Sequence, residues 1–115
     1  MKNVEELKLK ENEKKALQEL KKRVLERFPD AGVILYGSKV RGDFDEESDI
    51  DVLILLECDV NDSLREKIFS MSFRIELKYN VVFGILIEAT NFWKSPLAKA
   101  MPIHWNIDKE GVPVK

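Results

Sequence analysis

Two short apolar runs, separated by a polar stretch, constrain the fold of this chain more than any other feature. The first run covers residues 33–36, and the second lies in residues 50–57. Continuous apolar runs of this length are typical of strands that are buried on both faces. The pattern therefore predicts two strands of a small sheet. The polar residues 39–48 between them are expected to form a loop, with room for a single helical turn.

The segment before the first strand has the periodicity of a helix. Asn3 followed by Glu6 forms a capping-box pattern, and Pro29 ends the helical segment. An alternative is a short irregular arm followed by a helix that starts at Asn12. Apolar residues recur at three- and four-residue spacing through this segment: Val4, Leu7, Leu17, Leu20, Val24 and Phe28.

The remainder of the chain predicts a helix, a strand and a final helix. Ser63 with Glu66 forms a second capping-box pattern in front of an amphipathic segment. Residues 81–87 are a third apolar run and are expected to form a third strand. Pro102 and Gly111 frame the last helix. This order of elements predicts an α/β (α+β) fold, in which helices flank a small mixed sheet.

Composition and charge limit the classes of function. The formal net charge is −2, with 44% hydrophobic and 35% charged residues, so we expect a folded domain with a highly charged surface. Without a basic excess the chain gives no strong nucleic-acid signal. A nucleotide ligand remains compatible with this charge, because metal ions can supply the positive charge. The 115 residues suit one domain, residues 1–115.

Nothing in the sequence indicates secretion or a membrane partner. The longest apolar run, residues 52–56, is far shorter than the roughly 20 residues that span a bilayer. The first residues lack the pattern of a signal peptide. Cys58 is the single cysteine, which fits a reducing compartment. We therefore expect a cytoplasmic protein.

The residues directly after the first strand are suited to binding phosphate. Gly37 allows the backbone to turn tightly and to approach a ligand without a Cβ in the way. Exposed N–H groups in such a turn, together with the Ser38 hydroxyl, form an anion-binding concavity. Arg41 supplies a planar fork of donors that matches phosphate oxygens. Lys39 beside them either contacts phosphate or is a solvated loop lysine.

Two acidic residues open the second strand. Asp49 and Asp51 are two positions apart, so their side chains leave the same face of the strand. Two carboxylates about 7 Å apart along a strand can share hard cations such as magnesium. Taken alone, the pair could equally be solvent-facing charges at a strand edge. Two ions held in this way would stabilise the attacking and leaving oxygens of a phosphoryl displacement.

Two other phosphate or metal motifs match in spacing but fail at the residues that they require. The acidic residues that begin at Asp43 resemble the start of a calcium-binding EF-hand loop. Ser48 stands where that loop needs glycine, and Ile54 stands where it needs glutamate. Residues 32–39 have a spacing close to that of a P-loop, but Ser38 occupies the position of its lysine.

The combined pattern resembles a known superfamily. Gly37-Ser38, ten intervening positions and then Asp49-x-Asp51 resemble the nucleotidyltransferases that include the palm domain of DNA polymerase β. The pattern Gly-Ser-x-x-Arg-Gly, followed by Ser-Asp-Ile-Asp, is most similar to the minimal nucleotidyltransferases, which often occur as antitoxins beside HEPN toxins. The resemblance covers residues 33–56 strongly and continues more loosely to residues 106–113.

The resemblance implies a fold, an activity and partners. The fold would be polymerase β-like. The chain would transfer a nucleoside monophosphate from ATP or another nucleoside triphosphate, with AMP from ATP as the expected case, to an acceptor hydroxyl on a protein. Gly37, Ser38 and Arg41 would hold the phosphates, while Asp49 and Asp51 would coordinate two Mg²⁺ ions. A HEPN-type toxin or a second copy of the chain would be the expected partner.

One part of the family pattern is missing. Active members carry a third carboxylate on the next strand, expected here near Val82 or Phe83, where the sequence has no acid. Glu88 lies roughly 16–20 Å further along an extended strand. Glu76 on the preceding helix is a candidate whose position the sequence does not define. The alternative hypothesis is therefore a catalytically weak or inactive nucleotide-binding module, such as an antitoxin that acts by occlusion.

Overall fold

The computed structural model describes residues 4–42 and 48–114, apart from the side chain of Glu5. A 3₁₀ turn at Val4–Glu6 precedes the first helix. The helices and strands follow in this order: α1 Glu11–Arg27, β1 Gly32–Tyr36, α2 Ser38–Arg41, β2 Ile50–Leu56, α3 Asp62–Tyr79, β3 Phe83–Ala89, α4 Thr90–Trp93, α5 Pro96–Lys99, α6 Pro102–Glu110 and β4 Val112–Pro113.

The strands form one mixed sheet in the order β3-β2-β1-β4. β2 pairs antiparallel with β1 and parallel with β3, and β4 pairs antiparallel with the other edge of β1. The parallel pair needs a long crossover, which α3 provides. The predicted fold, a small mixed sheet flanked by helices, is confirmed.

Helices cover both faces of the sheet, which explains the continuous apolar runs in β1 and β2. The larger core lies on one face and includes Leu17 and Leu20 of α1, Ile75 of α3 and Val52 of β2. On the other face Leu53 packs in a smaller core with residues of α4 and α6. Both Val52 and Leu53 are fully buried, since neighbouring residues of a strand point to opposite faces.

The single histidine of the chain, His104, is buried beside the smaller core. The His104 ring of α6 stacks on Trp93 of α4, with ring centroids 4.2 Å apart. Its Nε2 lies 2.8 Å from the Trp93 carbonyl oxygen. This contact joins α6 to α4, and thereby sets the position of the last residues of α6 against the sheet.

The first helix follows the alternative interpretation of the sequence. α1 begins at Glu11, one residue before Asn12, after the 3₁₀ turn and a short irregular segment. The Lys10 N–H donates to the Glu13 carboxylate at 2.9 Å, so this acid satisfies a backbone donor at the helix start. The proposed cap residue Asn3 lies outside the described residues.

The predicted cap of the next helix is wrong. α3 begins at Asp62, and Asn61 caps it by accepting a hydrogen bond from the Leu64 N–H at 2.9 Å. Ser63 is the second residue of this helix. Asn61 is as good an N-cap as serine, and it occurs two positions earlier, so the helix starts there.

Other boundaries differ by small shifts. β3 starts at Phe83, two residues later than predicted, and β2 ends at Leu56. The single helical turn anticipated between β1 and β2 is α2, while residues 43–47 lie outside the described part of the chain. Pro102 and Gly111 frame α6 as predicted. The sequence analysis missed α4, α5 and β4, which are four residues or fewer.

Candidate active site

Gly37 makes the turn from β1 into α2. Its φ is 82°, in the left-handed region that favours glycine, and its carbonyl accepts hydrogen bonds from the N–H groups of Val40 and Arg41. A Cβ at this position would also collide with the carboxylate of Asp51. Glycine is therefore required at position 37 for two reasons: the backbone has a positive φ there, and the Asp51 carboxylate leaves no room for a Cβ.

The register of the β1–β2 pair brings Asp51 to this turn. Tyr36 is the partner of Asp51 in the antiparallel pair, so Gly37 follows directly beside it. Asp51 points to the same face as Leu53, the face covered by α6, because the two residues are two apart on β2. The predicted convergence of the glycine-serine turn and this aspartate is confirmed.

A second glycine also leaves space for the Asp51 carboxylate. Gly84 is its partner in the parallel β2–β3 pair. A Cβ at Gly84 would lie 2.6 Å from Asp51 Oδ1. The carboxylate of Asp51 thus occupies a slot between Gly37 and Gly84. The role of Gly84 was not predicted from the sequence, because it arises from a pairing between distant segments.

Asp49 lies beside this slot but is more exposed. It precedes β2, whose first residue is Ile50, so it is not part of the strand as predicted. Its Cβ is 4.0 Å from the position that a Cβ on Gly84 would take. The two aspartates therefore lie on the same side of the sheet, next to the same glycine.

The environment of Asp51 raises its pKa above the ordinary value for aspartate. Burial contributes most, because it disfavours the charged form, and the negative charge of Asp49 adds to it. The positive charge of Arg41 acts in the opposite direction, and the charge of Glu110 raises the pKa again. The site thus holds excess negative charge.

Glu110, the last residue of α6, reaches the turn at Gly37. Its Oε1 accepts hydrogen bonds from the Gly37 N–H at 3.2 Å and from Arg41 Nη1 at 3.0 Å. Its Oε2 lies 3.2 Å from the same Arg41 nitrogen. Glu110 lies within residues 106–113, where the family resemblance is loose, and no role was predicted for it. The structure brings it to two of the predicted phosphate ligands.

Ser38 and Lys39 begin the short helix α2 and have different surroundings. Ser38 is half-buried, and its carbonyl accepts from the Gly42 N–H at 2.8 Å. Lys39 is only 1% exposed, and its Nζ lies 2.7 Å from Glu13 Oε2. The interpretation of Lys39 as a solvated loop lysine is wrong, whereas its contact with phosphate stays a prediction. Lys39 joins the turn to the start of α1 through a buried ion pair.

The other acids considered as a third carboxylate have separate contacts. Glu88 pairs with Leu55 in the sheet, four positions along from Asp51, and lies 3.8 Å from Arg65. Glu76 accepts a hydrogen bond from the Phe83 N–H at 2.7 Å, so it holds the start of β3. Within residues 4–42 and 48–114, no three His, Cys, Asp or Glu side chains are arranged to hold a metal ion.

The two aspartates nevertheless fit magnesium in an open site. Magnesium is usually bound by one or two carboxylates, with water and substrate phosphates as its remaining ligands. A divalent cation would also compensate the negative charge that raises the pKa of Asp51. The donor set therefore suits a metal that is bound together with a nucleotide.

A mixed sheet that places a glycine-serine turn against a strand aspartate defines the class of nucleotidyltransferase folds. The family model described as "Nucleotidyltransferase domain" matches residues 17–100. The chain belongs to this family, and it is a minimal nucleotidyltransferase of the kind that the sequence pattern indicated.

Two curated relatives come from Methanocaldococcus jannaschii. The chain is 30% identical over 102 residues to the protein named "Putative protein adenylyltransferase MJ0604". The match covers 87% of this chain and 95% of that protein. It is 46% identical over 55 residues to "Putative protein adenylyltransferase MJ0141", covering 48% of this chain. In that second comparison the chain spans only 56% of the relative's length.

A solved structure shares the fold. It is a crystal structure described as a toxin-antitoxin with AMP-PNP, with a TM-score of 0.57 and 15% sequence identity. The match covers 87% of this chain and 70% of the other. In the part of the chain that the structure describes, no helix is long and apolar enough to cross a membrane.

Proposed function

We propose that this chain is a magnesium-dependent nucleotidyltransferase that transfers AMP from ATP to a hydroxyl group of a protein. The observation that supports it most directly is the slot for Asp51 between Gly37 and Gly84. Two glycines without side chains leave room for the acid at the point where the phosphate-binding turn begins. An aspartate that pointed into solvent at the edge of a strand would need neither glycine.

Each residue of the site has a proposed role. Asp49 and Asp51 hold magnesium, which supplies charge neutralisation for the triphosphate and for the departing pyrophosphate. The Gly37 turn, Ser38 and Arg41 bind and orient the phosphates of the nucleotide. Catalysis by these residues is then mainly positioning and electrostatic stabilisation.

A protein acceptor is supported by the relatives. Both curated proteins carry the name protein adenylyltransferase, and the structural neighbour is a toxin-antitoxin. We therefore propose a HEPN-type toxin, in the cytoplasm, as the partner that presents the hydroxyl. A second copy of the chain is the alternative partner, since one small domain forms only one wall of a site.

A binding-only function has one observation in its favour. The described residues place two aspartates at the site, whereas active members of the superfamily carry a third carboxylate on the next strand. In this chain Gly84 occupies the partner position of Asp51 on that strand. A module that binds nucleotide and blocks a toxin by occlusion would need no third acid.

The test is incubation of the purified chain with Mg-ATP and the toxin that co-purifies with it. We expect release of pyrophosphate and a gain of one or more AMP units in the mass of the partner. Asp51→Asn should abolish both, because amide oxygen binds magnesium more weakly, whereas Glu88→Gln should retain both. Nucleotide binding without transfer by the wild-type chain would favour the occlusion function instead.

A further inference from the structure

Glu110 holds the same donors that the proposed function assigns to the nucleotide. The backbone N–H of Gly37 and the guanidinium of Arg41 both donate to its carboxylate, at 3.2 and 3.0 Å. A carboxylate and a phosphate present similar anionic oxygens to such donors. Glu110 therefore occupies the turn as a bound anion would.

The contact joins distant parts of the chain. Gly37 and Glu110 are 73 positions apart in the sequence. Two features fix Glu110 at this place. The Gly111 N–H donates to the Ile107 carbonyl at 2.7 Å, which closes α6, and the next residue, Val112, pairs with Leu35 in the sheet. The end of α6 and the pairing of β4 thus place the Glu110 carboxylate beside the turn.

We propose that Glu110 is an intramolecular competitor of the nucleotide, which must release Gly37 and Arg41 before the phosphates can bind there. This inference rests on the proposed function. One N–H cannot donate fully to two anions, and two anions at one turn repel each other. Glu110 thereby sets the affinity and selectivity of the turn: weakly charged anions do not displace it, whereas a triphosphate with its magnesium does.

The competition has a second consequence at the aspartates. Glu110 and Asp51 both lie against Gly37, Glu110 at its N–H and Asp51 where a Cβ would be. Glu110 also neutralises part of the charge of Arg41. When Glu110 leaves Arg41, the Nη1 group that held Glu110 can donate to the phosphates. Displacement of Glu110 therefore converts an internal ion pair into a contact with substrate.

The test measures the dissociation constants of inorganic tripolyphosphate and of AMP-PNP, each with magnesium, by calorimetry. We expect Glu110→Gln to bind both probes about tenfold more tightly than the wild type, which corresponds to about 1.4 kcal/mol. Glutamine keeps the shape of the side chain and removes its charge. Glu110→Ala should also lower the dissociation constants of both probes. It tests the inference in the case where the glutamine amide itself keeps the contact with Gly37.

Glu88→Gln is the matched control. Glu88 also faces an arginine, and its side chain is 17% exposed compared with 19% for Glu110, but it lies at the other end of the sheet. Its substitution should leave both dissociation constants unchanged. Thermal unfolding of each variant confirms that it is folded.

The outcomes separate the inference from the proposed function. If the wild type binds the probes and both Glu110 variants bind equally well or more weakly, Glu110 does not compete and the inference is overturned. If the wild type and both Glu110 variants bind neither probe, the nucleotide function fails and the inference fails with it. Tighter binding by both Glu110 variants, with Glu88→Gln unchanged, supports it.

Discussion

The slot for Asp51 makes Gly84→Ala the sharpest test of the active-site geometry. A Cβ at position 84 would lie 2.6 Å from Asp51 Oδ1. Ordinary van der Waals contact begins at 3.4 Å, so the carboxylate must move by roughly 1 Å to make room. Gly84 does not have a positive φ, so alanine meets no backbone strain there.

The expected effect on activity is larger than the effect on stability. A displacement of about 1 Å in a catalytic group lowers the rate by roughly 100-fold. Overpacking of this kind costs about 1–3 kcal/mol, and the lower end applies because the partly exposed carboxylate can turn away from the added methyl group. The assay is the initial rate of pyrophosphate release from Mg-ATP, with thermal unfolding measured on the same samples.

Gly32→Ala provides a matched control in the same sheet. A Cβ at Gly32 would lie 3.8 Å from the Leu55 Cβ, which is ordinary contact. This substitution should keep the full rate. It should stabilise the protein by about 0.4–1 kcal/mol, because alanine lowers the conformational entropy of the unfolded chain. A Gly84→Ala protein with the wild-type rate would refute the conclusion that Gly84 of β3 holds Asp51 in the position that the proposed function requires.

Three further predictions concern stability. Glu13→Ala should destabilise the protein by about 3–5 kcal/mol in urea unfolding, because it removes the carboxylate that pairs with the buried Lys39 ammonium at 2.7 Å; adding Lys39→Met should recover most of the loss, and no recovery would contradict the ion-pair explanation. Asp51→Asn should raise Tm at pH 7, since burial and Asp49 raise the pKa of Asp51 above its unfolded value and so penalise its charged form. That gain should fade as the pH falls through the raised pKa, and a gain that is constant with pH would argue against charge as its cause. Asn61→Ala should cost about 1 kcal/mol through loss of the α3 cap, while Ser63→Ala should change urea unfolding little.

The sequence predicted the parts of the site that depend on local patterns. The apolar runs identified β1 and β2, and the glycine-serine pair marked the turn at the end of β1. Asp51 followed from its position at the start of β2. These features all lie within residues 32–56, where strand alternation and turn chemistry are strong constraints.

The parts that were missed depend on long-range packing. Gly84 matters only because β3 pairs in parallel with β2, and the register of that pair is not visible in either segment alone. Glu110 reaches Gly37 only after α6 and β4 return to the sheet. Lys39 resembled a loop lysine, because nothing near it in sequence shows that α1 covers it and supplies Glu13.

The antiparallel register of β1 and β2 determines which changes in chain length this molecule can tolerate. Tyr36 faces Asp51 across the pair, whatever the number of residues that join the two strands. Insertions between residues 42 and 48 would therefore leave the turn and the acid side by side. A single residue inserted within β2, ahead of Asp51, would turn that side chain to the α1 face of the sheet. Homologues should accordingly vary in length between the strands and stay constant within them.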